Sequence, residues 1–209
     1  MVKRILIAAL LAAAAGLAQT VNCVVAVVNG EIITLVDVEV AAEFGLGRDR
    51  AAETGADPRL TALDALIDRK VVLDLTRDIR GVSKDELAAA VADLRQTLGE
   101  TAFSAKLRKF GLAPHDLDSY LEGGLLYDRA LALRFSQSIP VSVTEIERHY
   151  RDIYAPEQAR IGAAAEPLDR VADRIETRIR DERRAQQTAV WVRDLRKRAD
   201  IQIKKDCLK

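Results

Sequence analysis

Apolar residues recur at spacings of three and four over most of this chain, and strand-like patterns are confined to its two ends. Near the start, Val24-Val25-Ala26-Val27-Val28-Asn29 is a short apolar run closed by Gly30. Near the end, Ile201-Gln202-Ile203-Lys204-Lys205 alternates with the period of two that marks a strand with one wet face. Between them the pattern predicts helices. Asp57-Pro58 places a capping residue before a proline at the first helical position. Leu60, Leu63, Ile67, Val71, Leu75 and Ile79 then share one face, widened by Leu66 and Leu73, until Gly81.

Ser83-Lys84-Asp85-Glu86 is a capping box that opens a second helix with Leu87, Val91, Leu94 and Leu98 on one side, ended by Gly99. A short third helix carries Phe103, Leu107 and Phe110 to Gly111. Pro114 starts a fourth with Leu117, Tyr120, Leu121, Leu125 and Leu131 inside. Its Gly123-Gly124 pair predicts a kink or a close helix contact, because each glycine costs about 1 kcal/mol in helix propensity. Pro140 interrupts the pattern, and a second capping box, Ser142 to Glu145, opens a helix through Ile146, Tyr150 and Ile153 that should stop near Pro156. Residues 155–167, rich in Ala, Pro and Gly, read as a linker. A last helix from Leu168 to Arg198, about 46 Å long at 1.5 Å per residue, carries Leu168, Val171, Ile175, Ile179, Ala189, Val192 and Leu195, with a charged stretch Arg180–Arg184 read as a solvated face. The fold class that follows is mainly α, with a small antiparallel β-ribbon joining the N- and C-terminal ends.

Composition narrows the function. The 209 residues carry 32 Lys plus Arg against 32 Asp plus Glu, a balance unlike the basic surplus of nucleic-acid binders. Two His and two Cys leave no room for a zinc cluster or a multi-disulfide scaffold. Residues 1–18 read as an export signal: Lys3 and Arg4, an apolar run from Ile5 to Ala15, then small residues around Gly16-Leu17-Ala18. The run is too short to span a bilayer. Its removal leaves 30 basic and 32 acidic residues. Asn22 is a poor residue to precede a lipidated Cys23, so a lipoprotein is not expected.

In an exported chain two cysteines read most simply as one disulfide. Antiparallel pairing of the two end strands with Val27 opposite Ile203 would set Val25 against Lys205, Asn29 against Ile201 and Cys23 against Cys207. A parallel pairing would separate the cysteines beyond bonding reach. The alternative is a pair of free thiols on frayed ends.

The order of several segments carries a resemblance. Val25-Ala26-Val27-Val28-Asn29-Gly30-Glu31-Ile32-Ile33-Thr34 is followed by Leu63-Asp64-Ala65-Leu66-Ile67-Asp68-Arg69-Lys70-Val71-Val72-Leu73, then by Gly81 to Leu87, Phe110-Gly111-Leu112 and Val141-Ser142-Val143-Thr144-Glu145-Ile146-Glu147-Arg148-His149-Tyr150. This resembles the N-terminal chaperone domain of the SurA/PrsA-type periplasmic chaperones and prolyl isomerases over about residues 24–154, and Trp191 to Ile203 is similar to that domain's closing helix and strand. The resemblance implies one helical chaperone domain made of residues 24–154 and 168–209, located in the periplasm. Its clients would be unfolded exported or outer-membrane polypeptides, held without ATP or any cofactor. It departs from the family at 155–167. A parvulin isomerase domain usually sits there, and thirteen residues cannot build one, so isomerase activity is not expected and the chain is not read as an enzyme.

No catalytic motif stands out: there is no G-x-S-x-G, H-E-x-x-H, phosphate-cradling glycine loop or C-x-x-C. His115, beside Asp116, reads as a surface residue of a first turn. His149 reads as the partner of Glu145 four positions earlier on one helix. In the resembled family a groove takes aromatic-rich segments. The candidate lining here is Phe103, Phe110, Tyr120, Tyr127, Phe135, Tyr150 and Tyr154, each with ordinary core packing as the alternative. No nucleic acid and no stable membrane insertion after signal removal are expected. The competing reading is a structural or assembly module whose long last helix pairs with a partner or, as a homodimer, with a second copy.

Overall fold

The computed structural model describes residues 23–46, 57–76, 78, 81–137 and 139–208; the proposed signal, 1–18, and Ile79 lie outside them. Asn29 and Gly30 both take positive φ, 48° and 85°, and reverse the chain in a two-residue turn. The opening segment is therefore a hairpin and not a single strand: β1 (Val24–Val28) and β2 (Glu31–Thr34) pair antiparallel with Val27 opposite Ile32. The last strand, β3 (Ile201–Ile203), pairs antiparallel on the other side of β1, giving a three-stranded sheet in the order β2-β1-β3.

The terminal pairing is antiparallel as predicted, but its register is one residue away. Ala26 faces Ile203, Val27 faces Gln202 and Val28 faces Ile201. A clasp at the end of the ribbon fixes this alignment. The Asn29 backbone N–H donates to the Asp200 carbonyl at 2.8 Å, and the Asp200 N–H donates to the Asn29 side-chain oxygen at 2.8 Å. The slip sets Ile201 beside buried Val28 and not beside exposed Asn29. Cys207 still reaches Cys23, with 6.0 Å between their Cα atoms, because the chain leaves β3 and coils into a 3-10 turn, Lys205–Leu208.

A helix that the sequence reading did not foresee follows β2: α1 (Leu35–Phe44). Thr34 caps it in a complete capping box with Asp37, the Asp37 carboxylate accepting from the Thr34 N–H at 2.8 Å. Helix α2 (Pro58–Leu75) begins as predicted, with Asp57 accepting from the Arg59 N–H at 2.8 Å. It ends before the expected Gly81, where the Thr76 hydroxyl donates back to the Val72 carbonyl at 3.0 Å. Leu63, Ile67 and Val71 are buried, while Leu60 and Leu75, the outer positions of the predicted face, stand in solvent.

Helices α3 (Lys84–Leu98) and α4 (Glu100–Phe110) follow the predicted boundaries. A 3-10 turn, Pro114–Leu117, leads into α5 (Asp118–Arg134). The glycine pair in α5 marks a close contact. A Cβ at Gly123 would stand 3.0 Å from Cδ of Arg69, whose guanidinium crosses α5 and donates to the Tyr120 carbonyl at 3.2 Å.

Helix α6 (Val143–His149) does not stop near Pro156. It passes through a π-helical turn, Tyr150–Tyr154, into α7 (Ala155–Arg160), so only residues 161–167 connect to the long α8 (Leu168–Arg198). The wider π turn lies where the proline ring would meet the carbonyl four residues back, which explains why the helix continues past Pro156 and does not end there.

Buried side chains form three separate groups. The first joins β1, β2, α1, α2, α5 and the C-terminal half of α8 through Val25, Val28, Ile33, Ile67, Val72 and Val192. The second joins α1, α4 and the turn before α5 through Val40, Phe44, Phe103 and Leu117. The first two share α1 and make up the base. The third is small: Tyr154, Val171, Ile175 and Ile179, where the α6–α7 helix lies on the N-terminal half of α8. This is the arm. At about 100° per residue, Val192 lies roughly 140° around α8 from Ile179, so base and arm pack on nearly opposite faces of one helix. Residues 181–190, where the buried face changes side, are exposed apart from half-buried Arg183 and Thr188.

Candidate functional site

Where α5 ends and α8 has not yet entered the base, a cleft of about 420 Å³ opens. Asp128, Leu131, Ala132, Phe135 and Ser136 form one wall, and Arg184 and Thr188 the other. Two turns of helix fix the first wall: Leu131 accepts the Phe135 N–H at 2.9 Å as α5 closes. Beside the cleft, Phe135 stands edge-on to Trp191 of α8 at 5.8 Å between ring centres, the favoured geometry for two quadrupoles. The Arg134 guanidinium lies over both rings, 5.6 Å from Phe135 and 5.9 Å from Trp191. The cleft itself offers Leu131, Ala132 and Phe135 as apolar surface beside the Arg134 and Arg184 cations, and it is open to solvent.

A second cavity, about 430 Å³, has a different chemistry. Glu39, Ala42 and Glu43 of α1, Asp57, Pro58 and Arg59 at the start of α2, and Lys106 and Lys109 of α4 line it. The Glu43 carboxylate is engaged by Lys106 at 2.7 Å and by Lys109. These two ammonium groups, Lys106 first, hold its pKa down at about 2. Six of the cavity's eight lining residues are charged, which leaves little surface for an apolar ligand.

The seven aromatic residues singled out from the sequence fall in four places. Phe103 is 1% exposed, edge-on to Phe44 at 6.1 Å in the second core, and offers no surface. Phe110 and Tyr120 are half-buried against the same core. Burial, followed by the nearby Asp37 carboxylate, raises the Tyr120 hydroxyl pKa above its ordinary value. Tyr127 packs on the first core, and Phe135 borders the cleft. Tyr150 and Tyr154 belong to the arm, 5.5 Å apart. Their hydroxyls donate to Glu166, Tyr150 to its carbonyl at 2.8 Å and Tyr154 to its carboxylate at 3.3 Å. Only Phe135 lies at the cleft. Trp191, Leu131 and Arg134 were missed as site residues; the one Trp of the chain, on an otherwise charge-rich helix, was the available signal.

His115 is exposed, 3.4 Å from Asp116. His149 does not pair with Glu145. Its ring is buried, and neither nitrogen has a hydrogen-bond partner among the described residues. Glu145 is occupied elsewhere: it accepts from the Ser142 N–H and hydroxyl at 2.9 Å and pairs with Arg183. Those hydrogen bonds, the Ser142 backbone first, hold its carboxyl at about 2.

Among the described residues no group of His, Cys, Asp and Glu could hold a metal, and no helix is long and apolar enough to cross a membrane. Searches against protein-family models and against curated proteins return no match for this chain.

Proposed function

We propose that this chain is an extracytoplasmic, ATP-independent chaperone of the SurA/PrsA type that holds apolar segments of unfolded exported or outer-membrane polypeptides. The observation that carries the reading is the open cleft between α5 and α8, with Phe135 and Trp191 beside Arg134. Non-covalent holding needs accessible apolar surface next to polar groups, and this site supplies it without a catalytic constellation. The disulfide between Cys23 and Cys207 supports an oxidising compartment. Residues 161–167 join α7 directly to α8, so the reading assigns the chain no prolyl isomerase activity.

Stoichiometric protein, without ATP, should slow the aggregation of a urea-diluted outer-membrane protein, and Phe135→Ser should weaken this several-fold. No effect on aggregation at several-fold excess would overturn the reading. The exposed middle of α8 favours one second reading, an assembly module that pairs through that stretch. It predicts a defined oligomer by light scattering and no affinity for unfolded chains.

A further inference from the structure

The arm contains the one buried side chain among the described residues whose polar atoms have no hydrogen-bond partner, His149 on α6. It packs beside the smallest of the three cores and has the Glu157 carboxylate near enough to act on it electrostatically. A neutral imidazole carries one N–H donor and one acceptor, and the protonated ring carries two donors. In the closed arm His149 is 8% exposed and none of these is met. Opening the arm hydrates them. One polar contact between α6–α7 and α8 is part-buried, Arg174 donating to the Tyr154 hydroxyl at 3.1 Å, and two ion pairs lie at the rim. Glu145 pairs with Arg183, and Glu157 meets Arg178 at 2.8 Å. The four side chains of these two pairs are between 32% and 44% exposed, so water reaches both pairs and weakens them relative to buried ones. Two connections hang the segment. One crosses α8, where the Ile139 and Pro140 carbonyls accept from Arg180 and Arg183 at 3.3 and 2.7 Å. The other, residues 161–167, turns at Gly162 with φ 72°.

We propose that α6–α7 is an autoinhibitory latch. It lies on the strip Val171-Ile175-Ile179 of α8 as an internal substitute for a client, and it lifts to bare that strip for an apolar segment of an unfolded chain. This rests on the chaperone reading above and adds to it a second binding face, on the side of α8 away from the cleft. The strip is matched to such an occupant because its present cover is itself a short amphipathic segment, seated through Ile146, Tyr150 and Tyr154. Lifting it leaves both base cores intact, since Val171, Ile175 and Ile179 contribute to neither.

Hydrogen exchange on the intact oxidised protein, without client, tests the latch on its own. Amides of 143–160 should exchange at least tenfold faster than those of α2. His149→Phe, which keeps a ring and removes the unmet nitrogens, should slow arm exchange about tenfold and lower client capture. Ile175→Ala should do the reverse, with the base transition unchanged in both. Arm amides as protected as those of α2, or either variant leaving arm exchange unchanged, would overturn the latch. Exchange as expected with no client capture by the wild-type protein would instead sink the chaperone reading, and with it the client's place on the strip, while the lifting of α6–α7 would stand as a local opening.

Discussion

The base and the arm share a helix and are built in different ways. The base is closed by elements distant in sequence. Arg196 near the end of α8 reaches Asp68 at 2.8 Å and Asp64 at 2.9 Å on α2, with Asp68 only 4% exposed, and the disulfide ties β1 to the C-terminal turn. The arm closes on neighbours in sequence, with four buried apolar side chains, a solvated ionic rim and an unmet imidazole. The contrast teaches where opening is cheap. Local unfolding starts where few apolar contacts and many exposed polar ones hold a segment, so the arm should open while the base stays folded.

The largest test of this contrast is the disulfide. Chain-entropy estimates give roughly 5 kcal/mol as a ceiling for a very long loop, and Cys23 and Cys207 are 184 residues apart. Replacing both by Ser should cost the base about 2–5 kcal/mol in urea unfolding followed by Trp191 fluorescence, with arm exchange unchanged. Equal loosening of both would show one cooperative unit. Next in size, Ile67→Ala, in a site with no exposure, should remove about 3 kcal/mol from the same transition, whereas Ile175→Ala should leave that transition in place.

A third, smaller test uses the same chemistry in both regions. Ser83 and Ser142 each cap a helix in a complete capping box. Ser142→Ala should cost about 1 kcal/mol, read as faster exchange in the arm alone, and Ser83→Ala should affect α3 and spare the arm. Acid gives the smallest effect, and it does not separate the two regions. Glu43 in the base and Glu145 in the arm both have carboxyls held at about 2, below the usual 4.5. A carboxyl depressed on folding contributes stability that is present above its ordinary value and is lost as pH falls towards the depressed one. Circular dichroism should therefore decline between about pH 4.5 and 2, and Glu145→Gln should remove only the arm's share.

How far the sequence led depended on whether local signals agreed. Pro58, the capping boxes at Ser83 and Ser142, and the glycines at 99 and 111 set helix starts and stops that the structure keeps, and α8 spans the predicted Leu168–Arg198. Helix α1 was hidden because Leu35-Val36-Asp37-Val38-Glu39-Val40 alternates like a strand; its capping box with Thr34 was the signal that could have decided it. The continuation past Pro156 depends on a π turn, which no propensity announces. The ribbon's pairing was legible, but its register was set by the Asn29–Asp200 clasp, a side-chain contact across 171 positions. The cleft was least legible: the apolar stripes before Arg180 and after Ala189 are roughly 140° out of phase on α8, and the charged run between them reads as a solvated face until the two packings on opposite sides are seen.

The central place of β1 in its sheet imposes an order on folding. Its partner β2 follows within a two-residue turn, so that hairpin can form as soon as it is made. Its other partner pairs Ile203 with Ala26, at the far end of the described chain. Until those last residues arrive, one edge of β1 is an open template for any strand that drifts past. A protein proposed to shield the unfinished chains of others thus passes through an unfinished state of its own, and its final strand is the piece that ends the exposure.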